Sequence, residues 1–197
     1  MGILRNVFGP SREEIWRGLA AEVGGTFVEG DFWKRGQIRA TRGDWTVTLD
    51  TFFSAASKCD YTRVRAHFLN PEGFRFTVYR RGFFSDIAKW FGMEDVEVGH
   101  EEFDRDFILK GSDHGRLRAL FSNAKVRELI AAQPQIHFTV QQAKGELGAA
   151  TPAHTDELSF VAVGVIRDGQ RLRLLFDLFA ETLDQLCRMG AAYEGQA

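Results

Sequence analysis

Four residues, Asn70-Pro71-Glu72-Gly73, constrain this chain most. Pro71 pre-sets the backbone for a type I turn, and Gly73 supplies the left-handed conformation that closes a three-residue loop. The runs on either side alternate apolar and polar residues, the period of a strand with one buried face. Together they predict a β-hairpin. If Asn70 pairs with Phe74, Phe68 falls opposite Phe76 and Ala66 opposite Val78 on the apolar face. The other face then carries Arg65 beside Tyr79, His67 beside Thr77, and Arg63 near Arg81.

A sheet of this kind needs helices to cover it, and other periodicities provide them. Ser11 and Glu14 form a capping box, after which Ile15, Leu19 and Val23 recur at helical spacing, so a helix is expected over 11–23. Trp45, Val47, Leu49 and Phe53 alternate against Thr46, Thr48 and Asp50 as a half-buried strand. Between Gly82 and Gly92, Phe83, Ile87, Trp90 and Phe91 mark a short, very apolar helix. The acidic stretch Glu94 to Asp106 leads into a strand near Phe107 to Lys110. Ser112 or Asp113 then caps a helix carrying Leu117, Leu120 and Phe121, and Ser122 caps another with Val126, Leu129 and Ile130 inward.

Gln135 to Gln141 and Leu158 to Ile166 read as further strands, the second apolar on both faces and therefore central. The Gly-, Ala- and Thr-rich stretch between them, Gln142 to Thr155, is expected to be a mobile loop. Asp168-Gly169 precedes a long last helix with the stripe Leu172, Leu175, Phe176, Phe179, Leu183 and Leu186, ended by Gly190 and a tail expected to fray. Leu174 and Leu178 fall off that stripe, as core residues or as the contact of a homodimer. The fold class is therefore α+β: an antiparallel β-sheet with helices packed on it and a long C-terminal amphipathic helix. A single domain over 1–197 is expected, with a weak subdivision near Gly92 as the alternative.

Composition sets limits. A chain of 197 residues, 44% hydrophobic and 26% charged, suits one globular domain with a substantial core. Its 18 phenylalanines imply either a very aromatic core or an interior that also lines a pocket for a hydrophobic ligand. A formal net charge of -2 argues against nucleic acid as a partner. The longest apolar runs, such as Phe160 to Ile166, fall far short of the ~20 residues that span a bilayer. The N-terminus shows no apolar signal region, and Asn6 stands where myristoylation wants Ser or Thr. Cys59 and Cys187 form no disulfide framework and suit a reducing cytoplasm.

Several clusters are candidates for function. Arg63, Arg65, His67, Arg75 and Arg81 form an expected anion-binding face, because guanidinium groups at alternate positions can grip phosphate or carboxylate. The competing reading is the solvated side of a sheet, balanced by Asp50, Asp60 and Glu72. Phe83, Phe84, Trp90 and Phe91 suit a protein partner, a peripheral membrane contact or the core. His100, Glu102 and Asp104, with Glu101 and Asp106 nearby, carry metal-ligand chemistry without any known ligand spacing, and His154, Asp156 and Glu157 raise the same question. Cys187 reads as a small core residue. Cys59, between Lys58 and Asp60, is a weak candidate for reactivity.

The chain contains no nucleophile elbow and no phosphate-cradling glycine loop, so no catalytic residue and no cofactor is expected. The reading that results is a non-enzymatic binding or scaffolding module that engages a protein partner, an anionic ligand or a membrane surface. The alternatives are a metal-assisted hydrolase assembled from dispersed residues and a hydrophobic-ligand binding protein. Beyond this, Trp45 to Asp50, Gly73-Phe74-Arg75-Phe76, Gly82-Phe83-Phe84-Ser85, Phe103 to Gly111 and Glu181 to Leu186 resemble segments of an uncharacterised bacterial family of about this size. The resemblance covers most of the chain. It implies a bacterial cytoplasmic protein and brings no activity or site residues with it.

Overall fold

The structure, a computed structural model, describes residues 11–30, 35–82, 94–143 and 152–193. The first helix begins where its capping box says it must: the Ser11 hydroxyl accepts the Glu14 N–H at 3.2 Å, and the Glu14 carboxylate accepts the Ser11 N–H at 3.0 Å. In chain order the elements are α1 (Arg12–Glu22), β1 (Gly25–Val28), β2 (Gln37–Arg42), β3 (Trp45–Ser54), β4 (Cys59–Leu69) and β5 (Phe76–Arg80). They continue with α2 (Glu101–Asp106), β6 (Phe107–Gly111), α3 (His114–Phe121), α4 (Ala124–Ala131), β7 (His137–Gln142), β8 (Thr155–Val163) and α5 (Gly169–Arg188). The strands form one eight-stranded sheet, antiparallel throughout, in the order β1-β2-β3-β4-β8-β7-β5-β6.

The turn at Asn70 forms, but the hairpin does not. The Gly73 N–H donates to the Asn70 carbonyl at 3.1 Å, with Gly73 at φ +63°. Asn70 then pairs with Phe74 through its side chain instead of its backbone: Nδ2 donates to the Phe74 carbonyl at 2.9 Å and Oδ1 accepts the Phe74 N–H at 3.1 Å. Its own N–H donates to the His154 carbonyl at 2.8 Å. The side-chain amide thus stands in for a ladder pair and releases the backbone to another strand.

Consequently β4 and β5 are separated by two strands. Ala66 pairs with Leu158 and Phe68 with Asp156, while Val78 pairs with Leu109 and Phe138. The expected neighbours of the polar face are replaced too: Arg63 lies opposite Val161, Arg65 opposite Ser159 and His67 opposite Glu157. Residues 70–75 carry the chain about 14 Å, three strand spacings, over the ends of β8 and β7. Asp156 pins that crossing. Its carboxylate, almost wholly buried, accepts two hydrogen bonds from Arg75, both at 2.9 Å, and one from Asn70 at 2.8 Å.

The helices lie on one side of the sheet, over Val47, Leu49, Val64, Phe68, Phe76, Val78, Phe138 and Phe160. The phenylalanines are concentrated here, and ten of them are buried between Phe68 and Phe179. Phe76 meets Phe121 and Phe138 edge-on, and Phe138 meets Phe179 in the same way, which links sheet, α3 and α5 through one aromatic chain. The long C-terminal helix is amphipathic, as expected. Leu178 belongs to the core and Leu174 packs against it. Polar ties fix the helix over the sheet: Trp45 Nε1 donates to Asp184 at 2.8 Å, and Arg42 contacts Asp177 at 3.0 Å.

Several boundaries differ from expectation for local reasons. Asn123, not Ser122, caps α4, because its Oδ1 accepts from the N–H groups of Lys125 and Val126. Asp113 caps α3 and Asp168 caps α5. The strand expected to run to Ile166 ends at Val163, where the chain folds back on β4: Thr62 Oγ1 donates to the Gly164 carbonyl and accepts the Ile166 N–H, each at 2.8 Å. Residues 191–193, expected to fray, are fixed, and the rest of the tail lies outside the described residues. Ala191 and Ala192 are buried, and Tyr193 exchanges two 2.9 Å backbone hydrogen bonds with Leu69. The apolar helix expected between Gly82 and Gly92, and residues 144–151 of the expected loop, lie outside the described residues. Among the described residues no helix is long and apolar enough to cross a membrane.

Candidate functional site

The opposite side of the sheet carries no helix among the described residues, and register determines what it displays. One row runs across seven strands in direct pairing: Arg39, Thr48, Arg65, Ser159, Thr139, Thr77 and Lys110. The next row holds Asp50, Arg63, Val161, His137, Tyr79 and Ile108. Every residue of the first row has a polar side chain, and three are cationic.

Three of the five expected anion-binding residues come together here, already engaged. Arg63 grips Asp50 through Nε at 2.9 Å and Nη2 at 2.7 Å, and Arg65 reaches the same carboxylate at 2.9 Å. Glu157 lies 3.2 Å from His67 Nε2 and 4.0 Å from Arg65, and accepts from Gln141 at 3.2 Å. Burial pushes the Glu157 carboxyl upward. The hydrogen bonds from His67 and Gln141, with the charges of His67 and Arg65, outweigh that and hold it below the ordinary carboxylate range. Two buried carboxylates therefore organise and largely neutralise the basic face.

The face changes character along the sheet. Ser159, Thr139 and Thr77 are buried; Thr139 donates to the Phe76 carbonyl at 2.8 Å, and Thr77 lies 3.2 Å from His137 Nε2. Burial lowers the His137 pKa from 6.5 to about 4, so its imidazole is neutral near pH 7. Lys110 pairs with Asp95 at 3.1 Å. At the β2 end, Arg39 is exposed among Thr41, Thr46 and Thr48 and has no acidic partner among the described residues. Towards the β3–β4 turn, Phe52 stacks on Tyr61 with centroids 5.2 Å apart, and the Arg63 guanidinium sits over Phe52.

The remaining expected site residues go elsewhere. Arg75 belongs to the crossing loop, where its hydrogen bond to Asp156 raises its pKa further. Of the acids expected to balance the face, Asp50 does so, whereas Asp60 pairs with Arg35 and Glu72 with Arg116. Arg81 lies past the end of β5. Its Nε donates to the Arg105 carbonyl at 3.2 Å and its Nη2 to the Asp104 carbonyl at 3.4 Å, at the C-terminal end of α2. With Arg118, Asp95, Glu97 and Asp104 it lines a cleft of about 420 Å³.

Asp104 has a structural task. Its two oxygens accept the N–H groups of Val98, Gly99 and His100 at 3.0, 2.9 and 2.9 Å. His100, Glu102 and Asp104 do not converge, and among the described residues no group of three or more His, Cys, Asp or Glu side chains is arranged to hold a metal ion. Phe83, Phe84, Trp90 and Phe91 lie outside the described residues. Cys187, expected in the core, is exposed, because it falls on the outer side of α5; Cys59 is half-buried near Ser57. Arg39 and Arg118 are the residues that sequence reasoning passed over, although the alternation of Ile38 and Ala40 with Arg39 and Thr41 carries a weak strand signal. No protein-family model, no curated protein and no solved structure matches the chain.

Proposed function

We propose that this chain is a non-enzymatic binding module that takes an anionic group on the β2–β4 part of its helix-free face. The observation that carries this reading is the row Arg39, Thr48, Arg65, in which two guanidinium groups flank a hydroxyl on adjacent paired strands. Strands two apart are separated by about 10 Å, so the long arginine side chains can close on one phosphate or carboxylate between them. Arg39, with no acidic partner among the described residues, brings its charge to the ligand. Asp50 holds Arg63 and Arg65 in place before any ligand arrives, which reduces the ordering cost of binding. The same carboxylate weakens the local positive field, so binding should be modest and sensitive to salt.

The anionic group could come from a free phosphate compound or from acidic side chains of a partner protein. Residue-resolved NMR titration separates the two, with inorganic phosphate in one arm and a short glutamate-rich peptide in the other. Saturable shifts at Arg39, Thr48 and Arg65, reduced in Arg39→Ala, are expected in at least one arm. Tighter binding of the peptide identifies a protein partner as the source. Absence of saturable shifts there in both arms at low salt refutes the reading.

A further inference from the structure

We propose that the cleft between β6, α2 and α3 is a separate site for a small dianion, a phosphomonoester or a dicarboxylate, held by Arg81 and Arg118. This goes beyond the reading of the sheet face and rests on other residues.

The distinction lies in what each guanidinium touches. Arg42, Arg63, Arg75 and Arg116 each meet a carboxylate, at distances between 2.7 and 3.1 Å. Arg81 and Arg118 meet backbone carbonyls instead: those of Arg105 and Asp104 for the first, and that of Glu97, at 3.2 Å from Nε, for the second. A carbonyl orients a guanidinium without neutralising it. Among the described residues, therefore, both Nη groups of Arg118 and Nη1 of Arg81 have no other partner and can turn to a ligand.

The surroundings favour a small polar anion. A volume of about 420 Å³ lies within the range of small-molecule sites. Val96, Phe107 and Leu109 line it but are largely buried, so most of the surface a ligand meets is polar. Two of the three acidic side chains are already committed, Asp95 to Lys110 at 3.1 Å and Asp104 to three backbone N–H groups. Asp104 keeps its charge, because backbone N–H groups do not neutralise it, and Glu97 is the second competitor. It is exposed at the rim, and its charge opposes the ligand.

The wild-type chain is titrated by calorimetry with inorganic phosphate and, in a second arm, with malonate, while backbone amides are followed by NMR. Binding in one arm, with shifts centred on Leu109 and Arg118, is expected, and the better ligand identifies the anion class. Arg118→Ala should weaken it by about tenfold, the loss of one charge-assisted contact. Glu97→Gln should strengthen it several-fold, a gain that damage to the fold cannot imitate. Shifts at Leu109 and Arg118 are read apart from those at Arg39, Thr48 and Arg65, so failure here and failure of the sheet-face reading are separable. Absence of saturable shifts at Leu109 and Arg118 in both arms overturns the proposal, as do shifts there that are indifferent to both Arg118→Ala and Glu97→Gln.

Discussion

Replacing Asn70 by Ala tests the device that turns β4 away from β5. The Asn70 side chain makes three hydrogen bonds in a site only 2% exposed: two close the turn on Phe74 and one reaches the Asp156 carboxylate. A neutral hydrogen bond contributes about 1 kcal/mol net, and one to a charged acceptor about 1.5–3 kcal/mol. Asp156 keeps its two bonds from Arg75, so the charged contribution falls at the lower end of that range. The expected loss is about 3–4 kcal/mol, or roughly 10 °C in melting temperature for a chain of this size. Urea unfolding followed by the fluorescence of the buried Trp16 and Trp45 measures it, with an unchanged m-value expected. Asn70→Asp sharpens the test. A carboxylate can still accept the Phe74 N–H, but it donates to nothing and faces Asp156, so near neutral pH this variant should be less stable than Asn70→Ala. The reasoning fails if Asn70→Ala loses less than about 1 kcal/mol, the value of a single neutral bond, or if Asn70→Asp is as stable as wild type.

Three other outcomes are expected. Between pH 6.5 and about 4 the unfolded chain binds a proton at His137 that the folded chain does not, so stability should fall as pH drops through that window. The loss totals about 3 kcal/mol, and urea unfolding of wild type against His137→Gln should show a flatter profile in the variant. Glu157 is held below its ordinary 4.5, so its contribution is present above that value and is lost as pH falls through its lower folded value; the stability gap between wild type and Glu157→Gln, read by thermal melts, should close in acid. Thr62→Val keeps the side-chain shape and removes the hydroxyl shared by Gly164 and Ile166, which should cost about 2 kcal/mol in chemical denaturation.

What was legible in the sequence was local. The Asn70 turn depends on residues within four positions of each other, and the type I geometry with a left-handed Gly73 was readable for that reason. Which strand β4 pairs with depends on Asp156 and Leu158, far along the chain, and alternation in β4 fits any antiparallel neighbour equally well. The same limit governs the site. Alternation placed Arg63, Arg65 and His67 on one face, but their neutralisation by Asp50 and Glu157 follows from the register of three strands. Arg39 went unread because β2 offers only Ile38 and Ala40 as apolar residues, too short a pattern to stand out. The five basic residues form one array only if β4 and β5 are partners. Once β8 and β7 separate them, Arg75 and Arg81 fall to opposite ends of β5.

The strand order also sets a sequence of events for folding. β4 pairs with β8 over eight residues, Thr62 to Leu69, and 86 positions separate Asn70 from the Asp156 that anchors its crossing. During synthesis the meander β1 to β4 is complete long before its remaining neighbour exists, and β5 and β6 can zip together on their own. The β7–β8 pair must then insert between two preformed pieces, a non-local closure that makes folding slow. Until it does, the long edge of β4 is open to pairing with another chain. The centre of the sheet is thus expected to form last, and the interval before it closes is when pairing with another chain is most favoured.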